Sequence, residues 1–190
     1  MPYYGSNEVA FLLGLRKSVW LTPGYSLFDE IANKYPFISK REFPALKGGI
    51  FFQNEEIKKE LCKNHLKDAE NIEFGSSKFH YTIGHLLGYP PKAIHFFVHL
   101  ITNSNLNIKR VGIDYCGVTC AGSIDDLLDD ATWLWQEYPF PEWDILKIQY
   151  QDKKIYIPYQ DFETLQEVQK KLKAATDNLQ ILNFSNRINF

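Results

Sequence analysis

The first half of the chain shows the hydrophobic spacing of helices, with apolar side chains that recur every three or four residues. This spacing predicts five helices, over residues 7–18, 25–35, 54–69, 76–87 and 90–102. The fourth helix is followed by Gly88, and glycine commonly terminates helices in the left-handed conformation. The fifth begins at Pro90-Pro91, because proline is tolerated in a first helical turn. It is apolar almost all round, which predicts that it is the central buried helix.

The pattern changes after residue 104, where period-two alternation and turn residues appear. The predicted order is strand, turn, helix, two hairpin strands and helix, over residues 109–115, 117–122, 123–138, 145–150, 154–159 and 162–175. The sequence therefore predicts an α+β fold, in which a helical N-terminal half packs on a small β-α-β-β-α C-terminal half. We expect residues 1–104 and 105–190 to form one continuous compact domain.

The last seven residues alternate apolar and polar positions, with Phe184, Ile188 and Phe190 on the apolar side. Such alternation predicts a final strand that adds to the edge of a sheet, either in this chain or in a partner. A docked or frayed tail is the alternative.

Composition and charge exclude several classes of protein. The 21 basic and 23 acidic side chains give a formal net charge of −2, whereas a general nucleic-acid binder requires a clustered positive excess. No apolar stretch approaches the roughly 18 residues that a membrane helix needs, and the N-terminus lacks the basic start of a secretory signal. The 3 cysteines are not a disulfide framework, so we predict a cytoplasmic protein.

One segment carries a resemblance to a known family. From Phe79 to Pro90 the chain reads Phe-His-Tyr-Thr-Ile-Gly-His-Leu-Leu-Gly-Tyr-Pro. This resembles a segment of an uncharacterised bacterial family that carries His-Glu-Ile/Leu-Gly and Leu-Gly-Tyr-Pro, followed by a helix that ends in Phe, here Phe97. Tyr81 and Thr82 stand where that family has His and Glu, so no role of that pair carries over. The resemblance implies a bacterial or phage origin and no particular activity.

Histidines and cysteines in the middle of the chain suggest a metal site. His95 and His99 are four residues apart on a predicted helix, so they project from the same face. Cys116 and Cys120 follow at the end of the next strand and in its turn. If that strand packs on that helix, the four side chains predict a His2Cys2 zinc site. The leading expectation is that these are buried structural residues and that the protein has no cofactor, and the zinc site is the alternative.

The same loop is a candidate for a reactive thiol. Cys120 lies just before a predicted helix, where the helix dipole lowers the pKa of a thiol. Cys116 is a second candidate nucleophile, His99 a candidate base and Asp114 a candidate orienting group. His80 and His85 are alternative bases. These residues predict an enzyme as the alternative to a binding protein.

The loop also resembles a phosphate-binding turn. Gly117, Gly122 and Ser123 precede a predicted helix, and backbone amides at a helix N-terminus hold phosphate. This predicts a small-ligand site, for a nucleotide or a sugar phosphate, at the 116–123 turn. The phosphate-loop lysine is absent, however, and Asp125 and Asp126 in the first turn repel an anion.

Aromatic residues make up 15% of the chain and crowd a short segment after residue 132. Trp133 and Trp135 are two positions apart, so a helix cannot bury both on one narrow face, and exposed Trp and Tyr are favoured interface anchors. The predicted interface residues are Trp133, Trp135, Tyr138, Trp143, Phe184, Ile188 and Phe190. The leading hypothesis is therefore a non-catalytic binding or regulatory protein whose aromatic surface contacts a protein partner or a second copy of the chain. Burial of both tryptophans under a helix–strand corner is the alternative.

Overall fold

The computed structural model describes residues 7–140 and 145–188, and for residues 178–188 it describes the backbone alone. Helices and antiparallel sheets are both present, which confirms the predicted α+β class.

The first half combines helices with a small antiparallel sheet. Its helices are α1 (Asn7–Leu12), α2 (Phe28–Lys34), α3 (Glu55–His65), α4 (Ser77–Leu86) and α5 (Pro91–Leu100). Its strands are β1 (Ser18–Leu21), β2 (Phe37–Ile38) and β3 (Gly49–Phe52). Strand β3 lies in the middle of the sheet and pairs antiparallel with both neighbours.

This sheet corrects the prediction of a purely helical first half. The helix predicted over residues 7–18 ends at Leu12, because Gly14 takes a positive φ of 74°. The chain turns at this glycine, and strand β1 begins at Ser18. Strand β3 is buried at all four positions. A short apolar run without alternation gives no period, so the pattern alone cannot distinguish it from other buried segments.

The second half has one more strand than the sequence predicts. Its elements are β4 (Arg110–Tyr115), β5 (Val118–Ser123), α6 (Leu127–Glu137), β6 (Leu146–Tyr150), β7 (Lys153–Ile157) and α7 (Phe162–Ile188). The strands form an antiparallel sheet in the order β5-β4-β6-β7. The turn predicted over residues 117–122 is therefore wrong, because the reversal takes just two residues. Cys116 and Gly117 both have positive φ, 49° and 74°, as a two-residue hairpin turn of type I′ requires.

The C-terminal segment also differs from the predicted strand. Phe184 and Ile188 belong to helix α7, which continues well beyond the predicted end at residue 175. Trp143 and Phe190 lie outside the described residues. Among the helices that the structure describes, none has the length and the apolar character needed to cross a membrane.

The two faces of the larger sheet have different surroundings. On one face, the fully buried side chains of Ile113 and Ile148 pack in a single core with Leu134 of α6 and Leu165 of α7. Side chains alternate along a strand, so Gly112 and Asp114 of β4 and Lys147 and Gln149 of β6 face the other way. These four residues are partly or fully exposed. Helix α5 packs along β5, the edge strand beside this open face.

Buried hydrogen bonds connect the two halves of the chain. The guanidinium of Arg16 donates to the carbonyl oxygens of Gly117 (2.9 Å) and Leu87 (3.0 Å). The hydroxyl of Ser18 donates to Leu86 at 2.6 Å. These contacts hold the end of α4 against the β4–β5 hairpin and so fix the position of α4 and α5 beside the sheet.

Candidate ligand-binding groove

A groove of about 700 Å3 lies between the α4–α5 pair and strands β4, β5 and β6. Small-molecule sites have volumes of roughly 300–1,000 Å3, so the groove has the size of such a site. The helices supply an apolar wall, the open face of the sheet supplies the floor, and residues 107–108 contribute to the lining from the short 3-10 helix that precedes β4.

Small residues in the strands create the space above the floor. Gly112 of β4 pairs across the sheet with Ala121 of β5 on one side and with Gln149 of β6 on the other. A Cβ atom added at Gly112 meets no heavy atom closer than Gln149 Cβ, at 3.4 Å. Gly112 and Ala121 have almost no side chain, so the groove is deepest above these two residues, between Gln149 and the helices.

The helical wall depends on a close approach of α4 and α5. A Cβ atom added at Gly84 would lie 2.7 Å from Ile94 Cγ1, so the helices reach this separation because residue 84 is glycine. The approach brings Ile83, Ile94 and Phe97 together as apolar lining. The ring of His80 packs edge-to-face on Phe97 with a centroid distance of 5.2 Å, and both residues line the groove.

The corner between these helices contains the segment that resembles the bacterial family. Gly88 has a φ of 66°, and its carbonyl accepts a hydrogen bond from the Tyr138 hydroxyl at 2.9 Å. A Cβ atom there would lie 2.4 Å from that hydroxyl oxygen. Pro90 is the N-cap residue of α5. The geometry of the corner thus accounts for a glycine at residue 88 and a proline at residue 90. The family relationship itself stays a prediction.

Polar side chains form the rest of the lining, and they include a single fixed charge. They are His80, Asn107, Arg110, Thr119, Gln149 and Gln151. Arg110 is exposed, and no described carboxylate lies within the 4.0 Å of an ion pair from it. Asp114, on the same face of the sheet, instead pairs with Lys147 at 3.4 Å. Among the described lining residues there is no Asp or Glu.

The predicted reactive thiol does not have the environment that it needs. Burial raises the pKa of the Cys120 thiol, and the nearby carboxyl of Asp130 raises it further, whereas a nucleophile needs a lowered pKa. Cys116 is buried in the hairpin turn, and His99 is exposed on α5. Asp114 pairs with Lys147. The structure therefore does not give Cys120, Cys116, His99 and Asp114 the arrangement that the predicted catalytic group requires.

The predicted zinc site does not form either. Helix α5 does pack against β5, but it does so with Ala93 and Ile94 buried and with His95 and His99 exposed. Nowhere in residues 7–140 and 145–177 do three His, Cys, Asp or Glu side chains come together in a group that could hold a metal ion. The four predicted ligands therefore do not meet, because the histidine face of the helix points away from the sheet.

The predicted phosphate-binding residues have structural roles. A Cβ atom at Gly117 would lie 2.6 Å from Ala10 Cβ, and at Gly122 it would lie 2.9 Å from Asp130 Oδ2. Both glycines thus permit close packing against helices. The hydroxyl of Ser123 accepts a hydrogen bond from the Asp125 amide at 3.1 Å. The neighbouring segment of the same strand, at Thr119, Cys120 and Ala121, does line the groove.

The predicted aromatic interface is mostly core. Trp135 and Tyr138 are 1% and 2% exposed, so they cannot be contact anchors, and this part of the prediction is wrong. The ring of Trp135 makes edge-to-face contacts with the rings of Tyr159 and Phe162. Trp133 is half-buried and contacts Tyr138 edge-to-face at a centroid distance of 6.1 Å. The two tryptophans therefore do divide between the interior and the surface.

Two titratable environments could not be seen in the sequence. The rings of His65 and His85 stack at a centroid distance of 4.3 Å beside a second cavity of about 190 Å3. Burial and the adjacent His65 and His95 lower the pKa of His85 to about 4.

Asp130 accepts a hydrogen bond from the Ala93 amide at 3.1 Å in the first turn of α5. Burial raises the pKa of this carboxyl to about 7.

Comparisons of the chain with protein-family models, with curated proteins and with solved structures found no significant match.

Proposed function

We propose that the protein is a non-catalytic binding protein that takes a small, largely apolar molecule into the groove between α4–α5 and the sheet. The observation that carries this proposal is the low floor formed by Gly112 and Ala121 beneath an apolar helical wall, in a cavity of about 700 Å3. Concave, mostly apolar sites with a few polar groups are the usual form of small-molecule sites.

The polar lining supports binding rather than catalysis. Apart from His80 and Arg110, the side chains at the rim are neutral amides and hydroxyls, which orient a ligand through hydrogen bonds. The thiol of Cys120 has a raised pKa because it is buried, so it does not act as a nucleophile at neutral pH.

Binding of a neutral fluorescent probe, N-phenyl-1-naphthylamine, tests the proposal. We expect saturable binding with one site per chain in the wild-type protein. Ala121→Phe places a ring above the floor and should weaken binding by at least about tenfold, which corresponds to about 1.4 kcal/mol. Lys154→Leu adds an apolar side chain on the same sheet face at a position that does not line the groove, and it should leave the affinity unchanged.

Absence of saturable binding in the folded wild-type protein would contradict the proposal. So would equal affinities of the wild-type and Ala121→Phe proteins, provided that circular dichroism and urea unfolding show that the variant is folded. A change of affinity in Lys154→Leu as large as that in Ala121→Phe would place the probe on the open sheet face and not in the groove.

A further inference from the structure

The charge of the groove points to a chemical class of ligand. We infer that the ligand is an amphipathic carboxylate whose apolar part occupies the groove and whose carboxylate pairs with Arg110. This inference rests on the proposed function and adds the head group to it.

The first argument is the unbalanced charge of the lining. Arg110 carries a fixed positive charge at the groove, and no carboxylate in the described part of the chain lies within ion-pair distance of it. Lys109, the preceding residue, pairs with Asp125 at 2.7 Å, and Lys147 on the neighbouring strand pairs with Asp114 at 3.4 Å. Arg110 is thus an exposed cation beside an apolar groove whose described lining lacks acidic residues, which favours an anionic ligand.

The second argument is the geometry of the donors. A guanidinium presents paired N–H groups that match the two oxygens of a carboxylate. The amide groups of Asn107, Gln149 and Gln151 add N–H donors along the same lining. One fixed positive charge neutralises one negative charge, so a carboxylate leaves no charge uncompensated, whereas a phosphate monoester leaves excess negative charge.

The third argument is the position of the charge relative to the apolar surface. Ile108 lies two residues before Arg110 and lines the same groove, as do Ile83, Ile94 and Phe97. A molecule with a polar head and an apolar body can satisfy both surfaces at once, whereas a wholly apolar molecule leaves the guanidinium unpaired. Because Arg110 is exposed, water screens the pair, and we expect about a two- to fivefold contribution to affinity.

Ligands that share one chain and differ in the head group test this inference. We would measure displacement of N-phenyl-1-naphthylamine by decanoate, decan-1-ol, decyl phosphate and decyltrimethylammonium. The wild-type protein should bind decanoate about two- to fivefold more tightly than decan-1-ol, bind decyl phosphate more weakly than decanoate, and bind the cation most weakly. Arg110→Gln should reduce the affinity for decanoate to that for decan-1-ol and leave decan-1-ol unchanged. Arg41→Gln removes an exposed arginine that does not line the groove, and it should change neither affinity.

The outcomes separate the two proposals. Equal binding of decanoate and decan-1-ol by the wild-type protein, or a decanoate preference that survives Arg110→Gln, would overturn the carboxylate inference and leave groove binding in place. Tighter binding of decyl phosphate than of decanoate would also overturn it, in favour of a phosphate head group. Failure of the fluorescent probe and of every decyl compound to bind would overturn both the inference and the proposed function.

Discussion

The guanidinium of Arg16 donates a hydrogen bond to the carbonyl oxygen of Gly117, 101 positions later in the chain, at 2.9 Å. Arg16 is 2% exposed, and the carbonyl oxygen of Leu87 accepts a second bond from it. One buried side chain therefore joins the segment before β1, the end of α4 and the β4–β5 turn. The contact thus ties the helix that forms one wall of the groove to the hairpin that forms part of its floor.

Replacement of Arg16 should destabilise the whole fold. Arg16→Met keeps much of the volume but leaves the carbonyl oxygens of Gly117 and Leu87 without this donor, and each buried unpaired group costs about 1–3 kcal/mol. We expect the free energy of unfolding, measured in urea, to fall by about 2–4 kcal/mol. The exposed control Arg41→Met should change it by less than about 0.5 kcal/mol. Similar values for the two variants would contradict the role given to Arg16.

The buried carboxyl of Asp130 should make stability depend on pH. Its pKa is raised to about 7 chiefly by burial, although the Ala93 amide and Lys92 act in the opposite direction. Between about pH 4 and pH 7 the folded protein holds a proton that the unfolded chain has released. The contribution of this group is therefore complete below about pH 4 and is lost as the pH rises through 7.

Substitution by an amide that cannot ionise tests this dependence. Between pH 5 and pH 8, the free energy of unfolding of Asp130→Asn should rise relative to that of the wild-type protein by about 1–3 kcal/mol. Asp129→Asn, which changes an exposed carboxylate on the same helix, controls for the loss of one negative charge. Parallel curves for Asp130→Asn and the wild-type protein over this range would show that Asp130 does not titrate near pH 7.

His85 should titrate far below an ordinary histidine. Burial is the main cause of its lowered pKa of about 4, and the charges of His65 and His95 lower it further. Because the unfolded chain binds a proton near pH 6.5, this group contributes stability above that pH which is lost as the pH falls through about 4.

Nuclear magnetic resonance can follow this titration directly. The Hε1 resonance of His85 should shift with a midpoint near pH 4 in the folded protein and near pH 6.5 in concentrated urea. His65→Ala removes a neighbouring positive charge and part of the cover, so it should move the midpoint of His85 upward. A midpoint above pH 6 in the folded wild-type protein would refute this description of the cluster.

The crossing of α4 and α5 should not tolerate a side chain at residue 84. Gly84→Ala gains up to about 1 kcal/mol of helix propensity, but its Cβ atom would lie 2.7 Å from Ile94 Cγ1. We expect a net loss of about 1 kcal/mol in the free energy of unfolding. In Gly84→Ala/Ile94→Ala the clash is absent, so the double variant should be more stable than the sum of the single effects predicts. Strict additivity would mean that the helices are not in contact at this point.

Much of the architecture could be predicted because local signals and tertiary packing agree. Gly88 and the Pro90-Pro91 pair end α4 and begin α5 within two residues of the predicted positions. The hairpin of β6 and β7 also has its predicted place. The predictions failed where the signal was short or had no period, as at β3, or where two positive φ values at Cys116 and Gly117 made a tighter turn than expected.

The candidate site could not be predicted from local patterns, because it is formed by residues that are chemically ordinary in the sequence. Arg110, Gln149 and Ile108 belong to no motif, and the fold alone brings them around one groove. The histidines and cysteines drew attention by type, but His95 and His99 occupy the exposed face of α5. The small pair Gly112 and Ala121 was the one available signal, since glycine within a strand often marks a close approach or an open space.

Isotope-filtered nuclear Overhauser spectra of the protein with bound decanoate test the central claim most directly. Binding in the groove predicts contacts from the decyl chain to the methyl groups of Ile83, Ile94 and Ile108, all of which line it. Contacts confined to exposed apolar residues elsewhere, such as Leu13 or Ile101, would contradict the account.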